Sequence, residues 1–296
     1  MQHELASRFT FRAMTTEDIA GGMRLCRESG WNQMEEDWRV FLDSPDGGGF
    51  LAEKEGRIVG TSAFLRYGGL AWIAMMLVDP AERGAGLGGR LLQDVLDRLK
   101  DAPCVGLDAT PLGERLYRHF DFVNDLTLVR MKTTLDAARF AVRPGVRPGV
   151  RKMRAADLSR VMERDREVFG ADRARLLGSL LERAPECAWV TENGAAEDGA
   201  KVSGYAFGRR GRLYHQVGPI VALERGAAQA LAEGCFSQLD GRLCAIDVPR
   251  LDGEWLAWLG SAGFVEERPF VRMFRRGHRH PGDPTRQYAI TGPEFA

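Results

Sequence analysis

Apolar positions along the first half of the chain change period from near two to near 3.6 and back, and this pattern predicts an ordered set of elements. Strands are expected at 9–14, 49–53, 57–65 and 70–78, helices at 17–28, 88–100 and 113–120, and two further strands at 104–108 and 126–132. Glu55-Gly56 in "EKEGRIVG" separates two strand-like runs and reads as a hairpin turn. Antiparallel strands followed by a strand-helix-strand-helix-strand run imply a mixed α/β sheet flanked by helices.

The pattern then repeats. "RAMTTEDI" from Arg12 returns as "RKMRAADL" from Arg151, an offset of 139 residues. "ERGA" at Glu82 returns at Glu224, and "FVNDLTLVRM" from Phe122 returns as "FVEERPFVRM" from Phe264, both at an offset of 142. Order is kept and the offset drifts by only three residues, so the chain contains two copies of one domain. The expected division is 1–138 for the first copy, 139–150 for a linker containing "RPGV" twice, 151–276 for the second copy and 277–296 for a loop-like tail.

Bulk properties narrow the partners. The 296 residues suffice for two cores, and 41 basic against 41 acidic residues remove the electrostatic reason to expect nucleic acid or an anionic membrane. The longest apolar run, "LAWIAMMLV", is too short for a membrane span, and no apolar leader opens the chain, so a soluble cytoplasmic protein, monomer or homodimer, is expected. Five scattered cysteines without a C-x-x-C suggest neither a disulfide framework nor a metal site; His278 and His280 have no acidic or thiol companions in sequence, so no metal is expected.

Candidate chemistry centres on "VDPAERGAGLGGRLL", residues 78–92, where an apolar strand meets an amphipathic helix through a glycine-rich loop. Gly84 and Gly89 have Walker A spacing, but Arg90-Leu91 replaces the Lys-[Ser/Thr] pair. Gly84, Gly86 and Gly89 satisfy G-x-G-x-x-G, with Asp108 about 20 residues on, so a dinucleotide reading stays open, although five residues separate Val78 from the first glycine. The third pattern, R-x-x-G-x-G, is met by Arg83, Gly86 and Gly88. Backbone N–H groups from Arg83 to Gly89, at the positive end of a helix, suit a pyrophosphate, and glycine lets the backbone approach its oxygens.

On Val78, Pro80, Arg83, Gly84, Gly86, Gly88 and Leu91 the first copy resembles the GNAT superfamily of acyl-CoA-dependent N-acyltransferases over residues 8–135. The resemblance implies two tandem GNAT-like domains, acetyl-CoA as co-substrate, and transfer of an acetyl group to a primary amine of a small molecule or peptide by direct attack. It implies coenzyme contacts from Met76, Leu77, Val78, Arg83, Gly84, Ala85, Gly86, Leu87, Gly88 and Gly89, the strand edge receiving the pantetheine arm like an added strand. "GERLYRHFDF" resembles the family's following helix and places Tyr117 as the acid for the departing thiolate, although Asp121 stands where the family has glycine.

Freeing the lone pair of an alkylammonium of pKa about 10.4 at neutral pH costs roughly 4 to 5 kcal/mol without help. Because "LAWIAMMLV" carries no ionisable side chain, candidate bases are sought among Glu35, Glu36, Asp37, Asp108 and His119, with Trp31 and Trp38 as candidate pocket walls. In the second copy Ala228 and Ala230 stand for Gly86 and Gly88, Ala222 for Pro80 and Leu259 for Tyr117. That copy, with "FGADRARLL", "YHQVGPIVA" and "IDVP", resembles the second domain of the tandem type that includes the holothin acyltransferase. It is expected not to bind coenzyme A and to brace the first copy or wall its acceptor pocket, with Tyr205, His215, Asp172 and Arg173 as weak wall candidates. The alternatives are a non-catalytic acyl-CoA-binding or sensing module and an NAD-binding oxidoreductase.

Overall fold

A computed structural model describes residues 5, 7–140, 149–193, 201–277 and 281–296. Residues 141–148, which hold all but the last two residues of the "RPGV" repeats, lie outside the described residues, as do His278 and His280. The chain forms two units, one of Met1–Val123 with Met273–His278 and Phe295, the other of Asn124–Arg272 with Arg279–Glu294 and Ala296.

In the first unit five strands run in the order β1 (Thr10–Ala13), β2 (Gly47–Lys54), β3 (Arg57–Tyr67), β4 (Leu70–Val78) and β5 (Cys104–Ala109). All neighbours are antiparallel except β4 and β5. Glu55 and Gly56 both take positive φ, 52° and 76°, the geometry of a two-residue hairpin whose turn matches the twist of its strands. The helices are α1 (Ile19–Glu28), α2 (Glu35–Leu42), α3 (Leu87–Arg98) and α4 (Pro111–Arg118). Leu87 and Leu91 of α3 pack with Ala52 and Val59 of the sheet and with Leu5 and Phe9 ahead of β1. Helix α2 adds an element that the sequence pattern did not mark, and its Trp38 is wholly buried where Gly22 of α1 leaves room for the ring.

In the second unit β6 (Val123–Thr134) pairs with β11 (Leu243–Pro249), which is parallel to β10 (His215–Ala222), followed by β9 (Lys201–Arg209), β8 (Trp189–Asn193) and β7 (Val150–Lys152). Helices α5 (Leu158–Phe169), α6 (Ala174–Arg183), α7 (Arg225–Phe236) and α8 (Gly253–Ser261) pack on this sheet, and β12 (Val265–Arg275) is its last long strand. A core of Leu231, Phe236, Ile246, Trp255 and Phe264 fills its interior.

The terminal strands of the two sequence copies are not where the repeat alone would put them. β6, which ends the first copy in sequence, builds the second unit, pairing Arg130 opposite Asp247. Their side chains form a buried bidentate pair with two 2.7 Å hydrogen bonds, and Gln216 donates to the same carboxylate at 3.0 Å. The end of β12 counts with the first unit, where Phe274 meets the edge of Trp72. The segment after Arg276 is also more ordered than its Pro and Gly content suggests: Gln287–Ala289 forms a strand, β13, on β10. Apolar Ala289 and Ile290 are buried there, and their backbone groups find sheet partners, which outweighs the turn-rich composition around them.

The duplication is written in ion pairs as well as in sequence. Arg12 bridges Asp18 and Glu53, both at 2.8 Å, and Arg151 bridges Asp157 at 2.7 Å and Glu192 at 2.8 Å. In both units the aspartate also accepts the backbone N–H three residues before it, 2.8 Å from Thr15 and 2.8 Å from Arg154, which fixes the entry into the first helix. The Arg12 guanidinium holds the Asp18 carboxyl down at about 2. A depressed carboxylate contributes stability above its unfolded value near 3.8 that disappears as pH falls toward 2. Asp18→Asn is therefore expected to lower Tm at neutral pH and to flatten the fall of Tm between pH 4 and 2, measured by circular dichroism melts.

Candidate active site

The site is built on a parting of two strands. β4 and β5 pair only at Leu70, Ala71 and Trp72, opposite Cys104, Val105 and Gly106. The Trp72 ring lies over Gly106, where a Cβ would come within 2.5 Å of it. Beyond this point Met75 takes φ 51° and the β3–β4 register slips, so that Met75 and Met76 together oppose Ser62. Such a bulge bends its strand and re-aims the backbone. The rest of β4, Met76–Leu77–Val78, keeps its ladder to β3 through Leu77 and Val78, and the β5 ladder has already ended.

A loop follows that is anchored at one end and permissive at the other. The Asp79 carboxylate accepts Ala81 N–H at 3.1 Å, and Arg24 and Arg57 bind it at 3.2 and 3.1 Å, holding it below the usual carboxylate range against the opposing effect of burial. Arg83 turns its Nε to the Val78 carbonyl at 3.3 Å. Gly84 and Gly86 have φ of 81° and 88°, a region that residues with a Cβ enter at a cost, and a Cβ on Gly84 would meet nothing within 4 Å. Gly86 is the N-cap of α3, and the first intrahelical bond runs from Arg90 N–H to Gly86 O at 3.1 Å. The N–H groups of Leu87, Gly88 and Gly89 thus belong to the first turn, with no intrahelical acceptor, at the positive end of the helix dipole.

Helix α4 closes on this turn. A Cβ on Gly88 would lie 3.4 Å from Leu116 and 3.9 Å from Val78, and one on Gly89 3.9 Å from Leu116. Next in sequence, Tyr117 is buried, edge-on to Phe122 at 6.0 Å, and its ring occupies the space that Gly113 leaves one turn earlier. Burial pushes its phenol above the usual value, so it is protonated throughout the physiological range.

The second unit repeats the parting and fills it. β10 and β11 pair at His215, Gln216 and Val217 opposite Cys244, Ala245 and Ile246, and the ladder between them then ends. Strand β13 takes up the β10 edge, Ile220 opposite Ala289 and Val221 opposite Gln287, while Ile290 N–H donates to Asp247 O of β11 at 2.9 Å. Trp255 Nε1 donates to Tyr288 O at 2.9 Å and its ring stands edge-on to the Tyr288 ring at 5.3 Å. Arg225, the counterpart of Arg83, is held by Asp252 at 2.9 Å and by Glu254. Ala228 and Ala230 are buried in α7. Around Arg225, then, stand the carboxylates of Asp252 and Glu254, and Ala228 and Ala230 are packed in the core.

Comparison with known proteins agrees with this architecture. A family model described as "Acetyltransferase (GNAT) family" matches residues 17–122, and another described as "Acetyltransferase (GNAT) domain" matches residues 161–289. The chain belongs to the GNAT acetyltransferases and carries two GNAT domains. Its sequence is 24% identical over 236 residues to the uncharacterised N-acetyltransferase YitH of Bacillus subtilis, covering 79% of each chain. In fold it resembles a Pyrococcus horikoshii protein described provisionally as an acetyltransferase, with TM-score 0.77, 22% identity and coverage of 97% and 96%. It also resembles a tandem GNAT protein from the clavulanic acid biosynthesis pathway, with TM-score 0.61, 17% identity and coverage of 93% and 100%. The membership in an acyltransferase family stands against the dinucleotide reading of Gly84, Gly86 and Gly89.

Among the other candidates of this GNAT protein, the structure separates capping and core residues from open ones. Asp37 is buried and accepts Met34 N–H at 2.9 Å at the start of α2. His119 is exposed, with Nδ1 2.6 Å from Arg115 O of its own helix. Glu35 and Glu36 are exposed on the first turn of α2, while Trp31 and Asp108 are half-buried. In the second unit Tyr205 and Arg173 are both fully buried on Asp165, whose carboxylate accepts the Tyr205 hydroxyl and pairs with Arg173 at 2.6 Å. Asp172 is exposed and caps Ala174, and half-buried His215 is lowered by burial and by Arg242 and Arg210.

Sequence reasoning missed the Met75 bulge and the Arg24 and Arg57 clamp on Asp79. An unbroken apolar run carries no mark of a bulge, and the clamp joins residues 55 and 22 positions apart. Gly86→Val, forced into a left-handed conformation at the N-cap, is expected to weaken coenzyme A binding at least 100-fold by calorimetry while the fold persists by circular dichroism.

Proposed function

We propose that the first domain transfers the acetyl group of acetyl-CoA to a primary amine by direct attack, and that the second domain binds no coenzyme. The observation that carries this reading is the parted β4–β5 pair ending in a loop whose two left-handed glycines lead into the N-terminus of α3. The N–H groups of the first turn and the Arg83 guanidinium suit a pyrophosphate, and Gly84 offers the open approach that its oxygens need. The free edge at Met76, Leu77 and Val78 suits the amides of a pantetheine arm, which pair as an added strand would.

In the reaction the amine nitrogen forms a bond to the thioester carbon, the carbon–sulfur bond breaks, and the electron pair leaves on sulfur. The amine must shed its protons, and the departing thiolate needs a donor. We assign that second role to Tyr117, which follows Leu116, the residue nearest to Gly88 on its helix. Because its phenol titrates well above a thiol, full proton transfer to sulfur is uphill. Tyr117 therefore acts chiefly as a hydrogen-bond donor that stabilises the developing thiolate.

Two measurements test the reading. Calorimetric titration with acetyl-CoA is expected to give one site per chain; two would overturn the assignment of Ala228, Ala230 and β13 as a closed second cleft, and none would overturn the acetyl-CoA reading itself. With a primary-amine panel followed by thiol release, Tyr117→Phe is expected to lower turnover about 10- to 100-fold while coenzyme A affinity stays within about twofold. An unchanged rate would remove the role given to Tyr117.

A further inference from the structure

Arg268 and Phe270, two apart on β12, share one face of their strand. The Arg268 guanidinium lies over the Phe270 ring, its Cζ 4.9 Å from the centroid, and the Arg130 guanidinium lies 5.2 Å from the same centroid. Arg130 is compensated: Asp247 holds it bidentately and the Tyr214 hydroxyl accepts from its Nη1. Lys132, 4.1 Å from the centroid of the Tyr214 ring, pairs with Glu267. Half-buried Arg268 differs from both. Among the described residues its guanidinium makes no hydrogen bond and no ion pair, and its Nε is buried without an acceptor. Burial and the nearby Arg130 charge lower its pKa, against attraction from Tyr214, Glu267 and Asp247.

The fold itself does not ask for a charge at this position. The 142-residue offset between the copies sets Arg268 against Leu126, Phe270 against Leu128 and Arg272 against Arg130. Leu126 is half-buried and packs on the cluster of Leu128, Phe270 and Ile290, as an apolar side chain at a sheet face does. A half-buried guanidinium without an acceptor, set beside a second guanidinium, costs stability that leucine would not. A local cost of this kind, with no compensating contact in the fold, marks a position kept for function.

We infer that Arg268 is the anion-recognising residue of a small-molecule site in the second unit, and that the ligand it takes is an organic monocarboxylate. A guanidinium presents its donors in a planar fork that matches the two oxygens of a carboxylate. One positive charge is left over here, because Arg130 is paired with Asp247 and Lys132 with Glu267. A single charge balances a carboxylate and falls short of a phosphate monoester, which carries about −1.5 to −2. The Arg130–Asp247 pair, buried and fixed on neighbouring strands, supplies a rigid wall. No residue of the Gly84–Gly86 loop takes part, so the inference stands independently of the acetyl-CoA reading.

The test titrates the full chain, without coenzyme and at constant ionic strength, with butyrate, its neutral isostere butyramide, and inorganic phosphate. Binding is followed by ligand-observed NMR and by thermal melts. Butyrate is expected to saturate with a Kd of about 1 to 10 mM and to raise Tm, and butyramide to do neither. Phosphate is expected to displace butyrate only at concentrations about 10-fold higher. Arg268→Leu, which installs the residue of the first copy, is expected to lose saturable butyrate binding and, without ligand, to melt at or above the wild-type Tm. Arg268→Lys keeps the charge without the fork and is expected to bind butyrate about 3- to 10-fold more weakly. A wild type that does not saturate below about 100 mM butyrate overturns the inference, as does one that binds butyramide equally well. Phosphate that displaces butyrate at equal concentration overturns the carboxylate assignment. An Arg268→Leu chain that keeps the butyrate affinity, or that melts below the wild type, gives Arg268 a packing role and overturns the site. An Arg268→Lys chain with wild-type affinity overturns recognition through the fork.

Discussion

Everything proposed for the first domain depends on β4 and β5 pairing for three residues and then parting. A parallel pair that continued would satisfy its own backbone groups and leave no edge for a ligand. The ladder ends at Trp72 and Gly106, and within three residues the bulge at Met75 bends β4 away. The parted ends create an unpaired backbone edge inside the fold, normally a liability that proteins cover. In the proposed reading this edge receives an extended, amide-bearing molecule by main-chain hydrogen bonds, with the loop at Gly84 and Gly86 beyond it.

In the second unit the corresponding edge is covered by the chain itself. Its strands part after three residue pairs as well, and β13, delivered by the last stretch of the chain, pairs with β10 and bonds to β11. The chain's own backbone thus satisfies the groups that a pantetheine arm would satisfy. Electrostatics changed along with it: the guanidinium of Arg225 is neutralised by Asp252 and Glu254, acids at the very place where an incoming phosphate would meet repulsion. What both units retain is the scaffold, seen in the Arg12–Asp18–Glu53 and Arg151–Asp157–Glu192 bridges that tie the first strand to its neighbour and to the first helix.

Single buried polar pairs decide register where apolar packing alone would tolerate a slip. Arg130 and Asp247 are both buried and directly opposed on antiparallel strands. A one-residue shift would leave two charges without partners in a dry interior, a penalty of several kcal/mol. The Tyr214 hydroxyl and the Gln216 amide complete the network, so β6 has one favoured pairing in the second unit.

Much of this was legible in the sequence because it is local. The repeat, the strand at Leu70–Val78, the hairpin at Glu55 and Gly56, and the R-x-x-G-x-G loop follow from periodicity, from glycine's freedom at positive φ and from motif spacing. Ala228, Ala230 and Leu259, standing where the first copy has Gly86, Gly88 and Tyr117, likewise set the second copy apart within the sequence itself. Tertiary structure alone decided which unit each terminal strand builds, what pairs with the edge of β10, and which side chain holds the bulge at Met75. Those outcomes turn on pairings between residues far apart in the chain, Arg130 with Asp247, Ile220 with Ala289 and Thr61 with Met75. A strand's sequence records which faces it buries; which edge it joins is settled by the competition among all the edges the folded chain presents.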